Sequence, residues 1–191
     1  MTLQPKEAKI FFKNWLGLMA FVNDKYLVVK GFGNPKKPTA VNPEKVAKIK
    51  SKLWENTSII DEYIGSIRNL SDEDEQILKG WQNNIIGQFT VITHLKKYSV
   101  LMNDKQDILY GVVGISGPIS EMLPSDMLPM TVRTTLIPFK EQIIYDGSLS
   151  VSNVQIDPNM KRTIKELYSE IKEKKGITGS LMDAICGVIE H

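Results

Sequence analysis

The chain has 191 residues, of which 42% are hydrophobic and 24% charged, and its formal net charge is +2. A chain of that length buries a core without disulfides or metals, and the composition is that of a soluble globular protein. One cysteine (Cys186) and two histidines exclude a disulfide framework and a conventional structural zinc set, and no apolar run is long enough to span a membrane.

Residues 6–22 read as a helix. Ala8, Phe11, Trp15, Leu18 and Val22 recur at steps of three and four, and Phe12, Leu16 and Met19 form a second stripe beside them. A face that wide is usually buried between other helices or against a second copy, so Phe11, Trp15, Leu18 and Met19 are the candidate interaction surface. Asn23-Asp24 is expected to end this helix, with Lys25–Gly33 extended and 34–41 a loop. Asn42-Pro43 opens a second helix with the apolar stripe Val46, Ile49 and Leu53. A short helix is expected over Ser58–Ile67. Ser71 caps a further one, whose first turn, Asp72 to Glu75, suits the positive end of the helix dipole.

Near Asn84 the texture turns to β. Ile86–Leu101 predicts two strands, Ile108–Ile115 a third with glycines marking bulges or close backbone approach, and Met130–Ile137 a fourth. Pro138 marks an edge or a bulge. Ile143–Tyr145, Asp146-Gly147 and Ser148–Ile156 together read as a hairpin, since Asp-Gly suits a two-residue turn with positive φ. Asp157-Pro158 caps a helix with Met160, Ile164, Leu167, Tyr168 and Ile171 on its inner face and Gly176 at its end. A weaker helix is expected over Gly179–Ile189. The expected fold is therefore α+β. It has an N-terminal helical lobe (1–85), then an antiparallel β meander or partly closed small barrel with a C-terminal helix packed on it (86–191), the two forming one compact unit.

The set F-V-N-D-K-Y (21–26), K-L-W-E-N (52–56), G-Q-F-T-V-I-T-H-L-K-K-Y (87–98), Y-G-V-V-G (110–114), L-P-M-T-V-R-T-T-L-I-P-F (128–139) and I-I-Y-D-G (143–147) resembles a family of uncharacterised bacterial proteins with a helical first half and a small β domain. The resemblance covers most of the chain and implies a shared fold. It brings no activity, substrate or assigned residue.

Candidate sites follow from charge and residue type. Residues 1–52 carry eleven Lys against three acids, and residues 53–75 one Arg against seven acids. Lys45, Lys48 and Lys52 fall on one helix face behind Lys36 and Lys37, a pattern that would contact phosphates in a salt-dependent way. The favoured reading is a solvated face paired with the acids of 61–75, because no aromatics are interleaved to stack bases. Tyr145-Asp146-Gly147 reads as a site or as a corner of the chain, and turn chemistry accounts for it without function. His94 lies in a strand pattern with no partner visible in sequence. Gly111-Val112-Val113-Gly114 lacks the pattern of a phosphate loop, and Cys186 reads as packing.

No metal, cofactor or catalytic constellation is expected. The leading expectation is a non-catalytic cytoplasmic module that binds a protein partner or its own copy, with no signal for secretion and no membrane segment. The alternatives are nucleic-acid binding through Lys36, Lys37, Lys45, Lys48 and Lys52, and an enzyme whose site is assembled on the sheet from Tyr110, Arg133, Tyr145 and Asp146 with His94.

Overall fold

The computed structural model describes residues 1–30, 32, 43–152 and 156–181. The fold is α+β, and backbone packing divides it into Lys6–Gln82 and a second unit made of Met1–Pro5 with Asn83–His191. No helix among the described residues is long and apolar enough to cross a membrane.

The first unit carries α1 (Pro5–Tyr26), α2 (Pro43–Glu55), α3 (Ile59–Ser66) and α4 (Asp72–Gly80). Its aromatic centre is built by α1 and the turn after α4. Phe11 and Trp15 stack at 5.8 Å, and both meet the ring of Trp81 edge-on at 5.8 and 5.7 Å. Each such pair contributes about 0.5–1.5 kcal/mol beyond the area it buries. The expected end of α1 at Asn23-Asp24 is displaced to Tyr26. Asn23 is buried there, where its side chain donates to the Val29 carbonyl and accepts from the Val29 N–H at 3.0 and 2.8 Å. The described part of the expected extended piece is thus a helix end and a turn. Asn42, the expected cap of α2, lies outside the described residues, and Pro43 is the first helical residue.

The cap expected at Ser71 is present: its Oγ accepts from the Asp74 N–H at 3.2 Å and donates to Asp74 Oδ2 at 2.7 Å. Asp74 is buried and also accepts from Lys13 Nζ and from Asn14 Nδ2. Burial alone would push its carboxyl up, but these donors more than offset that and hold it below the usual Asp value. The acids of 72–75 are thus first-turn residues, one of which ties α4 to α1.

The second unit holds β1 (Ile85–His94), β2 (Ser99–Asn103), β3 (Leu109–Val113), α5 (Ile119–Met122), β4 (Met130–Phe139), β5 (Gln142–Tyr145), β6 (Ser150–Val151) and α6 (Pro158–Lys175). The strands run β1-β2-β3-β5-β4, and β4 pairs back onto β1, so the sheet closes into a five-stranded ring. β3 and β5 are parallel and the other ring pairs antiparallel. This is the strand order of the small Greek-key barrel called the OB-fold, with a short helix between the third and fourth strands. β1 pairs with β4 from Ile85 to Val91 and with β2 from Phe89 to His94, so Phe89, Thr90 and Val91 lie between both neighbours. A register shift between Val91 and Thr93 marks the bulge at which it bends.

Phe89 and Tyr110 meet edge-on at 6.0 Å, and both are buried. On the other face of β2 and β3, Val100, Met102 and Leu109 pack with Ile164 and Ile171 of α6. Both faces are covered, which is why β2 and β3 read as continuous apolar runs rather than alternating ones. The two glycines of Y-G-V-V-G mark close approach, as expected. A Cβ at Gly111 would meet the Tyr98 ring at 3.0 Å, and one at Gly114 would meet the Gly117 carbonyl oxygen at 2.1 Å.

The expected Asp-Gly hairpin is not formed. The reversal lies earlier, at Lys140-Glu141, where Phe139 pairs with Gln142 and Lys140 takes φ 55°. After β5 the chain continues in the same direction along β4: Leu136 faces Tyr145, and further on Arg133 faces Ser150. Asp146-Gly147 is the point at which the chain bows out between the two pairings, and Gly147 supplies φ 86°. Pro138 lies past Leu136, the last β4 residue paired with β1, so its missing N–H removes no bond from that ladder.

Candidate functional site

A cleft of about 510 Å³ opens where the β3–β4 connection, the start of β4, the end of β6 and the start of α6 converge. Its walls are Met127, Pro129, Met130, Ser152, Ile156, Asp157, Pro158 and Lys161. A cleft of that size falls in the range that holds a small ligand or a few side chains of a bound peptide. Met127 of the wall is 50% exposed, and Met122, Val151 and Met160, which are close to wall residues in sequence, are also about half exposed. Methionine is the side chain that adapts to varied partners, being unbranched and polarizable.

Each wall has a local cause. Pro124 leads into a single 3-10 turn at Ser125–Met127, closed by the Met127 N–H on the Pro124 carbonyl at 3.0 Å, and this turns Met127 outward. Asp157 caps α6: its Oδ1 accepts from the N–H groups of Asn159 and Met160 at 2.8 and 2.9 Å, and Pro158 takes the first helical position. The carboxylate is therefore committed to the helix terminus. Lys161, one turn on, forms no ion pair among the described residues.

His94 supports the loop that carries this wall. Its Nδ1 lies 2.7 Å from Ser99 Oγ, directly across the β1–β2 ladder, and its Nε2 lies 2.7 Å from the Leu123 carbonyl. A carbonyl only accepts, so Nε2 carries the hydrogen, and in the neutral ring Nδ1 accepts from the serine hydroxyl. The residue without a visible partner in sequence thus joins two strands to the loop between Met122 and Met127.

The residues singled out in sequence fall elsewhere. Phe11, Trp15, Leu18 and Met19 are all buried, while Phe12 and Leu16 of the second stripe remain exposed on α1. Lys45, Lys48 and Lys52 are exposed on α2. Lys52 pairs with Glu55 at 2.7 Å, which raises its pKa, and neither Lys45 nor Lys48 is ion-paired among the described residues. Of the acids of 61–75, Asp74 and Glu62 meet α1 through Lys13 and Lys25, and Glu75 pairs with Lys79 of α4. Lys36, Lys37 and Cys186 lie outside the described residues.

Tyr110 and Tyr145 are buried, and that burial, with Asp107 and Asp146 nearby, pushes both phenols up. Asp146 is buried at the bow after β5, where its Oδ1 accepts from the Ser148 N–H at 3.3 Å. Arg133 is exposed on β4. None of Tyr110, Arg133, Tyr145, Asp146 and His94 lines the cleft. No group of three or more His, Cys, Asp or Glu among the described residues is placed to hold a metal ion.

In OB-type barrels the ligand crosses the face of strands two and three. Here that face lies beneath α6, against Ile164 and Ile171. The Met-Pro cleft was invisible in sequence, because its walls come from three stretches of chain, 127–130, 152 and 156–161, and follow no period.

Comparison with protein-family models, curated proteins and solved structures gives no match to this chain, so the resemblance drawn from its motifs rests on those motifs alone.

Proposed function

We propose that this protein is a non-catalytic cytoplasmic binding module that holds a segment of another protein at the Met-Pro cleft of its β unit. The observation that supports this reading is a cleft of about 510 Å³ whose walls include Met127, Pro129, Met130, Ile156 and Pro158, with Met127 half exposed. A concavity with largely apolar walls and a few polar groups is where ligands and partner segments dock. The cytoplasm is the compartment because one cysteine in 191 residues fits a chain kept reduced.

The test is site-specific photo-crosslinking in the native host. A photoreactive residue replaces Met127 or Lys161, and a control replaces Lys45 on α2. The expected result is a discrete protein adduct from both cleft positions and none from Lys45. Adducts from all three positions alike, or from Lys45 alone, overturn the reading.

Nucleic-acid binding is the second reading, and the observation in its favour is that Lys45 and Lys48 are exposed on one face without acidic partners among the described residues.

A further inference from the structure

We infer that the partner segment binds as an extended strand added to the free edge of β6, and that it is an apolar peptide carrying carboxylates. This rests on the reading that the cleft holds a protein segment, and it specifies the conformation and chemistry of that segment.

The backbone of β6 is half used. The Ser152 N–H donates to the Thr131 carbonyl at 2.9 Å, and Arg133 and Val132 of β4 face Ser150 and Val151. In an antiparallel ladder alternate residues direct both backbone groups to the same neighbour. Ser150 and Ser152 therefore face β4, and the N–H and C=O of Val151 point away from it. Among the described residues β6 has no strand on that second side.

Sheet edges in water are ordinarily blunted by brevity, lysine, proline or an inward charge. β6 is short, at two residues, but the run Ser148-Leu149-Ser150-Val151-Ser152 around it has no lysine, proline or charge. It alternates small polar and apolar residues, the pattern of a strand awaiting a neighbour. Strand addition of this kind takes affinity from main-chain hydrogen bonds and specificity from pockets for alternate side chains. Such a pocket adjoins the edge, because Ser152 also lines the cleft with Met127 and Met130.

Charge decides the occupant. Arg133 is exposed directly across the ladder from Ser150, and Lys161 shares the cleft with Ser152. Neither forms an ion pair among the described residues. A second copy pairing edge to edge would bring another uncharged Ser-Leu-Ser-Val-Ser run and leave both cations unanswered. A peptide with carboxylates flanking alternating apolar residues answers them.

The test selects binders to the full chain from a displayed library of random linear peptides. Each winner is then remade with single backbone N-methyl groups placed in turn along its length. Expected are peptides with alternating apolar positions and at least one acid. N-methylation should weaken them about tenfold at the one residue that pairs with Val151 and little at its neighbours, since a methyl there removes the main-chain hydrogen bond to the Val151 carbonyl. Met127→Glu and Lys161→Glu should weaken them too.

Peptides lost in Met127→Glu but indifferent to N-methyl position keep the cleft reading and overturn strand addition. Peptides indifferent to both changes overturn the two together. A chain that instead dimerises with rising concentration, and does so no longer as Val151→Pro, makes a second copy the occupant and overturns the peptide. Failure to enrich any peptide also overturns it.

Discussion

Gly114 sits where β3 ends, and the chain doubles back so closely that a Cβ there would stand 2.1 Å from the Gly117 carbonyl oxygen. The obstacle is backbone, which cannot swing aside as a side-chain tip can. Gly114→Ala should therefore cost about 1–3 kcal/mol or more, read as a lower urea midpoint at unchanged slope. Gly147 is a different case. Nothing lies within 4 Å of its would-be Cβ, but its φ is 86°, so Gly147→Ala should cost about 1–2 kcal/mol through backbone strain alone. Asp74 extends the residue scale to pH. Its folded pKa is depressed, so its contribution is complete above the unfolded value and disappears as pH falls through the folded one. Asp74→Asn should be less stable than the parent by about 1–3 kcal/mol at neutral pH, and the gap should close as acid protonates the parent's carboxylate. Urea unfolding across a pH series checks this, and a gap independent of pH would refute it.

Single elements show what a sequence states and what it withholds. The caps at Ser71 and Asp157 were legible because a cap is a local arrangement: one side-chain oxygen reaching an N–H two or three residues on. The α6 stripe was legible for the same reason from Ile164 on, since Ile164, Leu167, Tyr168 and Ile171 pack against the sheet, whereas Met160, expected with them, is exposed in the first turn. Removing the Asp157 side chain should cost about 1 kcal/mol, whereas Ile164→Ala, which opens a hole beneath α6 against Val100 and Met102, should cost about 2–5 kcal/mol. Thermal unfolding that ranks the two the other way would show that α6 is held by its ends rather than by its face. The Asp-Gly hairpin was misread because residue type reports a need for positive φ, and a bow in a continuing edge needs it as much as a reversal does. The true reversal at Lys140-Glu141 has no glycine to announce it. The cleft was not legible at all: Met127, Ser152 and Lys161 become neighbours only through the pairing of β6 with β4 and the docking of α6. His94 likewise acquires its role from Ser99 and Leu123, which only the register and the β3–β4 loop bring to it.

At the scale of the molecule, the uneven charge is the feature most open to a functional reading. The chain resolves part of it internally, since Lys13, Lys25 and Lys52 of the basic segment meet Asp74, Glu62 and Glu55. The Lys25–Glu62 and Lys52–Glu55 pairs are exposed and add little to stability, whereas Asp74 is buried, but each of the three pairs removes a cation from the set that could contact phosphate. Counterion release predicts how much that matters. Each phosphate neutralised on single-stranded nucleic acid adds about 0.7 to the slope of log affinity against log salt. Five engaged lysines (Lys36, Lys37, Lys45, Lys48 and Lys52) would give a slope near −3.5, whereas Lys45 and Lys48 alone would give about −1.4, too shallow for useful affinity at physiological salt. The protein-binding reading expects the shallow case: a labelled single-stranded oligonucleotide followed by fluorescence anisotropy should bind weakly at low salt and not at all at physiological salt. A slope near −3.5 that collapses in the Lys45→Glu, Lys48→Glu double variant would move the function from the cleft of the β unit to the basic face of α2.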